Sequence, residues 1–207
     1  DFESDTLPSD ATLTHWMELA ARAGRALAVA RRVADAEENA TLDSLTRLPN
    51  KLAYTHAIER ELSRAARHGD RLGLAVLDLD HFRRVNNRYG HDAGDQVLQE
   101  FALRLQPAFR TTDMVARWGG EEFVVILPSL APEPGPDDIL PVERARQLVA
   151  GRPFRLPGGQ GTLAVTFSAG VAVYPQHGTT AKDLFKAADK ALYRAKKRGR
   201  NRTELAD

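Results

Sequence analysis

No cysteine occurs among the 207 residues, which excludes a disulfide scaffold, a thiol nucleophile and cysteine-ligated zinc. Neither charge sign is in excess: 29 basic against 28 acidic residues leave a net charge of +1. No overall field therefore draws the chain to a nucleic-acid backbone or an anionic membrane, and any phosphate binding has to be local. Long apolar runs are also missing. Those present, such as residues 123–127, fall far short of the roughly 20 residues that cross a bilayer, and no charged-then-apolar leader opens the chain. The stretch reads as soluble, with no nucleic-acid and no membrane partner. It opens on Asp1 rather than Met, so that reading applies to this stretch alone, and an upstream sensor is expected. What the sequence does have is a hydrophobic content of 43%, enough to bury the core of one ordinary domain plus an accessory segment.

Residues 1–10 are acidic and polar, with Pro8, and lead into a helix capped near Ser9 or Asp10. Residues 11–42 lack proline, and Leu13, Trp16, Ala20, Ala23, Leu27, Ala30 and Ala34 recur at alternating three- and four-residue spacing. This pattern predicts a helical stalk with a narrow dimerisation seam over residues 1–42. Polar Glu37 and Thr41 break the heptad, which leaves an amphipathic helix lying on its own domain as the alternative. Pro49 ends the stalk, and the compact domain runs over residues 43–207.

In that domain the pattern predicts a helix over 51–67, a strand over 72–79 buried on both faces, and a helix over 90–109. Strands over 114–118 and 121–127 form a hairpin about Gly119-Gly120. Residues 128–141 hold prolines at 128, 132, 134, 136 and 141 and read as a surface loop. A helix to about 150, strands near 154 and over 163–174, a helix over 180–197 and a tail strand near 203 complete the domain. Helices alternating with strands around hairpins imply an α/β fold with a central mixed, mostly antiparallel sheet flanked by helices.

Two constellations carry the chemistry. Asp78 and Asp80 stand at period two where an apolar strand ends, so both carboxylates can project to one side of the sheet edge. Their repulsion would be relieved by a hard divalent cation; Mg²⁺ takes one or two carboxylates and leaves its other positions to water and phosphate. Alone, such a pair is more often a helix cap. In Trp118-Gly119-Gly120-Glu121-Glu122-Phe123 a glycine turn lets backbone approach a phosphate and sets two acids at the mouth of a strand. Strand alternation allows only one of Glu121 and Glu122 to face the metal edge unless the turn distorts the pleat.

The blocks from Asp78 to Asn87, from Gly90 to Asp95 and from Arg117 to Phe123, taken in order, resemble the signature of the GGDEF family. So do Asp43-Ser44-Leu45-Thr46, Ser168-Ala169-Gly170-Val171-Ala172 and Ala188-Asp189-Lys190-Ala191-Leu192-Tyr193-Arg194-Ala195-Lys196; the likeness spans residues 43–202. It implies a palm-like fold, one GTP per domain and a diguanylate cyclase that joins two GTP into cyclic di-GMP with release of pyrophosphate. Two domains must then face each other as a homodimer in the bacterial cytoplasm. By this resemblance Asp78, the Leu79 carbonyl and Glu121 hold two Mg²⁺ ions, with Mn²⁺ as the alternative metal. Glu121 helps remove the proton of the attacking 3′-hydroxyl, with Glu122 as second candidate, and Arg83 stands where the family commonly has a catalytic lysine.

Asn86 and Asp95 would read guanine, Phe82 and His91 belong to the substrate-contacting set, and Lys196 and Arg200 would grip phosphates, sharing a helix face if the helix runs through Gly199. Arg110 and Asp113, in Arg110-Thr111-Thr112-Asp113, stand in the register of the family's R-x-x-D inhibitory site, with Arg144 as a second contact for the product. Arg47 and Asn87 depart from the family's usual glycine and aspartate, and Glu121 makes the motif the G-G-E-E-F variant. Two other functions compete: a catalytically silent module that binds GTP or cyclic di-GMP, and a polymerase palm. Near-neutral charge and the lack of a template-binding domain oppose the second.

Overall fold

The computed structural model describes residues 15–17, 19–24, 41–159 and 161–207. The chain divides into two compact units, Asp1–Ala40 and Thr41–Asp207. In the first, residues 15–17 and 19–24 are helical, and Trp16, Met17 and Leu19 are 60%, 73% and 48% exposed. The seam beyond Ala23 lies outside the described residues.

The second unit begins with an antiparallel bridge between Leu42 and Pro49. It continues through α1 (Lys51–His68), β1 (Arg71–Leu79), α2 (Phe82–Tyr89), α3 (His91–Leu105), β2 (Met114–Gly119), β3 (Glu122–Leu130) and α4 (Leu140–Ala150). Then come β4 (Phe154–Arg155), β5 (Thr162–Leu163), β6 (Phe167–Tyr174), α5 (Ala181–Lys197) and β7 (Thr203–Leu205). Five strands form one sheet in the order β2-β3-β1-β6-β7, every pairing antiparallel except β6 with β7. β4 and β5 make a separate two-stranded ribbon.

The central strand β1 is buried along its whole length, and its side chains divide by parity between two cores. Ala75, Leu77 and Leu79 pack with Phe82, Val97, Phe101 and Val142 of α2, α3 and α4. Leu72, Leu74 and Val76 pack with Tyr54, Ile58, Leu184 and Leu192 of α1 and α5. Asp78 continues the second series and so emerges on the α5 side. That helix lies close against β6: a Cβ on Gly170 would stand 2.0 Å from the Ala188 carbonyl oxygen and 2.2 Å from the Leu192 nitrogen. Close approach at Gly170 brings the last turn of α5 over the end of β1.

Several local expectations are corrected. Residues 163–174 are not one strand: the chain leaves the ribbon after Leu163 and enters the main sheet at Phe167, and between them the Thr166 carbonyl accepts from the Asp80 nitrogen at 2.9 Å. The segment 128–141 is more regular than its prolines suggest. β3 runs through Pro128 at an irregularity in its pairing with β1, Pro136–Ile139 form a 3₁₀ turn, and Pro141 sits in the first turn of α4, where a missing N–H costs nothing. The hairpin loop is Gly120-Glu121, one residue later than read, because Gly119 pairs with Glu122.

Arg47 occupies the turn before Pro49 with φ +60, the left-handed region. Its departure from glycine leaves the turn's shape intact and loads a side chain onto a conformation that costs roughly 1–2 kcal/mol for an L-residue. Arg47→Gly is expected to raise the thermal midpoint by about 1–3 °C, since relief of strain exceeds the extra freedom glycine gives the unfolded chain. Thermal unfolding of the two proteins measures it, and an unchanged or lower midpoint would contradict it.

Candidate active site

Asp78, only 8% exposed, stands opposite Glu122 in the β1/β3 register, so their side chains share the α5 face. Lys196 of α5 reaches over them, its Nζ 2.8 Å from Asp78 Oδ2. Glu121 lies in the hairpin loop, outside the alternation of β3, and its carbonyl accepts from the Leu79 nitrogen at 3.3 Å. The loop thus removes the conflict between the two glutamates, because both answer electrostatically to Asp78 and Lys196. Burial pushes the Asp78 carboxyl above its ordinary range, Lys196 pulls it down, and Asp80 adds to the rise. Burial and then the Asp78 charge raise Glu121 and Glu122 likewise, Lys196 again opposing.

Asp80 does not join this cluster as a second open carboxylate. It accepts from Thr166 Oγ1 and Ser168 Oγ, both at 2.7 Å, and from the Asn201 nitrogen at 3.0 Å. Its task is to fasten the segment after α5 to the sheet edge. α5 ends at Lys197, so Lys196 and Arg200 do not share a helix face. Instead the chain reverses through Gly199, the Arg200 nitrogen donates to the Ala195 carbonyl at 3.0 Å, and Arg200 and Asn201 take left-handed φ of +63 and +46. This turn brings the Arg200 charge close enough to lower the Asp78 pKa.

Arg117 holds the loop from behind, a role invisible in the motif alone. Its Nε and Nη2 donate to the Gly120 carbonyl at 3.1 and 2.7 Å, and its Nη1 reaches Asp43 Oδ1 at 2.9 Å. Asp43 Oδ1 also accepts from the Thr46 nitrogen and hydroxyl. Burial raises the Asp43 carboxyl, but these bonds outweigh it and hold it below the usual carboxylate range. Lys51 lies 4.1 Å above the ring of Trp118, which packs edge-on to Tyr54 and against Phe185.

A second group forms where α2 meets α3. Asn86 Oδ1 is buried with no hydrogen-bond partner, a costly state for a carbonyl unless a ligand supplies the donor. Gly94 opens the space for it: a Cβ there would lie 1.9 Å from Asn86 Oδ1 and 3.2 Å from Phe82 Cζ. Sequence reading passed over Gly94 as a motif letter, although a glycine inside a helix is itself a packing signal. Phe82 is buried in the core beneath, whereas Arg83, His91 and Asp95 are exposed on the outer sides of α2 and α3.

The inhibitory set lies elsewhere. Arg110 and Asp113 close a tight turn, the Arg110 nitrogen donating to Asp113 Oδ2 at 2.9 Å and the Asp113 nitrogen to the Arg110 carbonyl at 3.0 Å. With Arg144 of α4 they line one cavity of about 520 Å³, within the size range of small-molecule sites.

Among the described residues no three His, Cys, Asp or Glu side chains stand as a ready-made metal cluster. The donor set nevertheless fits Mg²⁺: oxygen ligands only, with two carboxylates whose mutual repulsion a cation relieves. No described helix is long and apolar enough to cross a membrane.

Residues 40–202 match the family described as diguanylate cyclase, GGDEF domain. The chain is 44% identical over 172 residues to diguanylate cyclase DgcP of Pseudomonas aeruginosa, which covers 83% of this chain and 25% of that protein. It is 42% identical over 164 residues to response regulator PleD of Caulobacter vibrioides, covering 79% of this chain and 36% of that one. The chain thus spans about a quarter to a third of the length of these relatives. The coiled coil and GGDEF domain of DgcB from Caulobacter crescentus, solved in complex with c-di-GMP, superimposes with a TM-score of 0.84 at 30% identity, over 93% of this chain and 100% of that one.

Proposed function

This chain belongs to the GGDEF-domain diguanylate cyclase family, and from that premise we propose that it condenses two GTP into cyclic di-GMP and two pyrophosphates. One observation supports the reading above others: the Asp78, Glu121 and Glu122 carboxylates are held in mutual repulsion under Lys196 at the sheet edge. Lys196 offsets part of this negative charge, and a bound cation would offset the rest.

Asp78, the Leu79 carbonyl and Glu121 would hold two Mg²⁺ ions, with Mn²⁺ as the alternative. When bound, the ions supply Lewis-acid stabilisation of charge on the α-phosphate and departing pyrophosphate and a more acidic 3′-hydroxyl. The chain's own residues do the rest. Asn86 and Asp95 orient guanine over Phe82, with His91 beside them, and Lys196 and Arg200 bind phosphate oxygens. Arg83 adds positive charge from α2. Glu121, or Glu122 in its place, takes the proton of the 3′-hydroxyl, whose oxygen then bonds to the α-phosphorus of the other GTP as the bond to pyrophosphate breaks. Repetition in the opposite sense closes the ring.

Each domain carries half of the substrate, so two copies must face each other, and residues 1–42 are proposed to pair them and to receive the signal of an upstream sensor in the bacterial cytoplasm. Product bound by Arg110, Asp113 and Arg144 would hold the domains apart and inhibit without competing with GTP. Chromatography of products from GTP and Mg²⁺ tests the activity; GTP binding without product would leave a silent binding module instead. Removing residues 1–41 is expected to lower specific activity roughly tenfold at dilute protein, recovering as concentration rises, because pairing becomes bimolecular. Activity independent of both stalk and concentration would count against pairing through residues 1–42.

A further inference from the structure

We propose that Arg146 of α4 is a positioning residue for Arg200: by gripping the Asn201 side chain it holds the turn after α5 in the shape that presents the Arg200 guanidinium to a phosphate. This rests on the phosphate-binding role given to Arg200 above.

The turn needs holding. Arg200 and Asn201 stand in succession in the left-handed region, with φ of +63 and +46, a conformation that costs an L-residue roughly 1–2 kcal/mol and that asparagine tolerates better than most. Backbone of this kind persists only where the surrounding contacts fix it. Two of those contacts are made by the backbone of the turn: the Arg200 nitrogen donates to the Ala195 carbonyl and the Asn201 nitrogen to Asp80 Oδ2, both at 3.0 Å. The third is made by a side chain. Asn201 Oδ1 accepts from Arg146 Nη1 at 2.5 Å, and because Arg200 is the next residue in the chain, a rotation of Asn201 displaces its guanidinium.

Arg146 is built for that grip. Val142, Ala145 and Val149 seat α4 in the first core and are all fully buried, and Arg146 leaves the helix with a side chain only 14% exposed. Its Nε and Nη2 engage Glu143 Oε2 and Oε1 at 2.8 and 2.5 Å, which locks the fork with its remaining nitrogen on Asn201. Thr203 Oγ1 donates to the same Glu143 Oε2 at 3.2 Å. An ion pair three residues apart on one helix adds little to stability by itself. This one reaches beyond its helix at two points, Asn201 and Thr203, and so ties α4 to the segment between the Arg200 turn and β7.

Calorimetric titration of the full chain in Mg²⁺ tests this with two probes: 3′-deoxy-GTP, which lacks the attacking hydroxyl, and 3′-deoxy-GMP, which also lacks the two outer phosphates. Arg200→Ala is expected to cut the preference for the triphosphate roughly tenfold, the loss of one charge-assisted contact. Arg146→Ala and Asn201→Gly are each expected to cut it about three- to tenfold, the worth of one hydrogen bond, while 3′-deoxy-GMP binds as it does to the wild type. Asn201→Gly leaves α4 and the local charge untouched, and glycine accepts the left-handed φ. Since Arg146 and Asn201 act through one bond, the double variant should lose no more than either single one. An unchanged preference in Arg146→Ala or Asn201→Gly, equal weakening of both nucleotides, or additive losses in the double variant would overturn the positioning role. If Arg200→Ala cuts the preference and Arg146→Ala does not, this inference fails and the phosphate-binding reading stands; if Arg200→Ala leaves the preference intact, that reading fails and this inference with it.

Discussion

Asp78→Asn and Glu121→Gln are each expected to cut cyclic di-GMP synthesis by roughly 10²–10³-fold, the loss typical when one charge-stabilising group is removed from a reacting centre. Neither should unfold the protein. Burial and neighbouring acids raise both carboxyls above their ordinary range, so their charge opposes the metal-free fold, and an amide of the same shape removes that opposition. The sign can be checked independently of turnover. A carboxyl whose folded pKa is raised binds more protons folded than unfolded just above the ordinary carboxylate range, so metal-free stability falls as pH rises through that window. Mg²⁺ competes with the same protons, and its stabilising effect should therefore grow with pH. In Glu121→Gln both the pH slope and the response to Mg²⁺ should shrink. Initial rates from GTP and thermal midpoints with and without Mg²⁺ measure all of this, and wild-type turnover in either purified variant would remove Asp78 and Glu121 from the mechanism.

The legible parts of this sequence were those set by local period. The apolar run ending at Asp78 predicts a strand covered on both faces, and β1 divides its side chains between two cores as that run requires. The glycine pair before Glu121 predicts a hairpin. Its register is not set by the glycines alone, because β1 pairs with β3 on the other side and Arg117, which clamps the Gly120 carbonyl, is itself held by Asp43, 74 residues away. Asp80 shows the same limit: its spacing from Asp78 suggests a shared role, but Ser168, Thr166 and Asn201, remote in sequence, claim its carboxylate. Arg200 reaches the site through a reversal after α5, where four-residue spacing predicts a continuing helix. The prolines of residues 128–141 predict a surface loop, yet Arg71, 67 residues away from Asp138, holds the Asp138 carboxylate in a buried ion pair.

Gly94→Ala is expected to separate folding from substrate reading. Alanine inside α3 should favour the helix by about 0.5–1 kcal/mol, against which stands a Cβ only 1.9 Å from Asn86 Oδ1. The atom it meets is the far end of a rotatable side chain, so Asn86 can swing aside at a cost of roughly 0.5–1.5 kcal/mol, and the two terms nearly cancel. The thermal midpoint should move by no more than about 2–4 °C. Function has no such compensation. On the proposed reading Asn86 accepts a guanine N–H, and once its buried, unpartnered Oδ1 is displaced the side chain no longer meets the base. kcat/KM for GTP should fall roughly 10- to 100-fold, chiefly through KM, with a narrower preference over ATP. A double-mutant cycle makes the assignment specific. If Gly94 acts only by making room for Asn86, then Gly94→Ala should change little in an Asn86→Ala background, the two losses failing to add. Additive losses, or a Gly94→Ala enzyme with the wild-type KM, would mean that the space above Gly94 serves helix packing and not the reading of guanine.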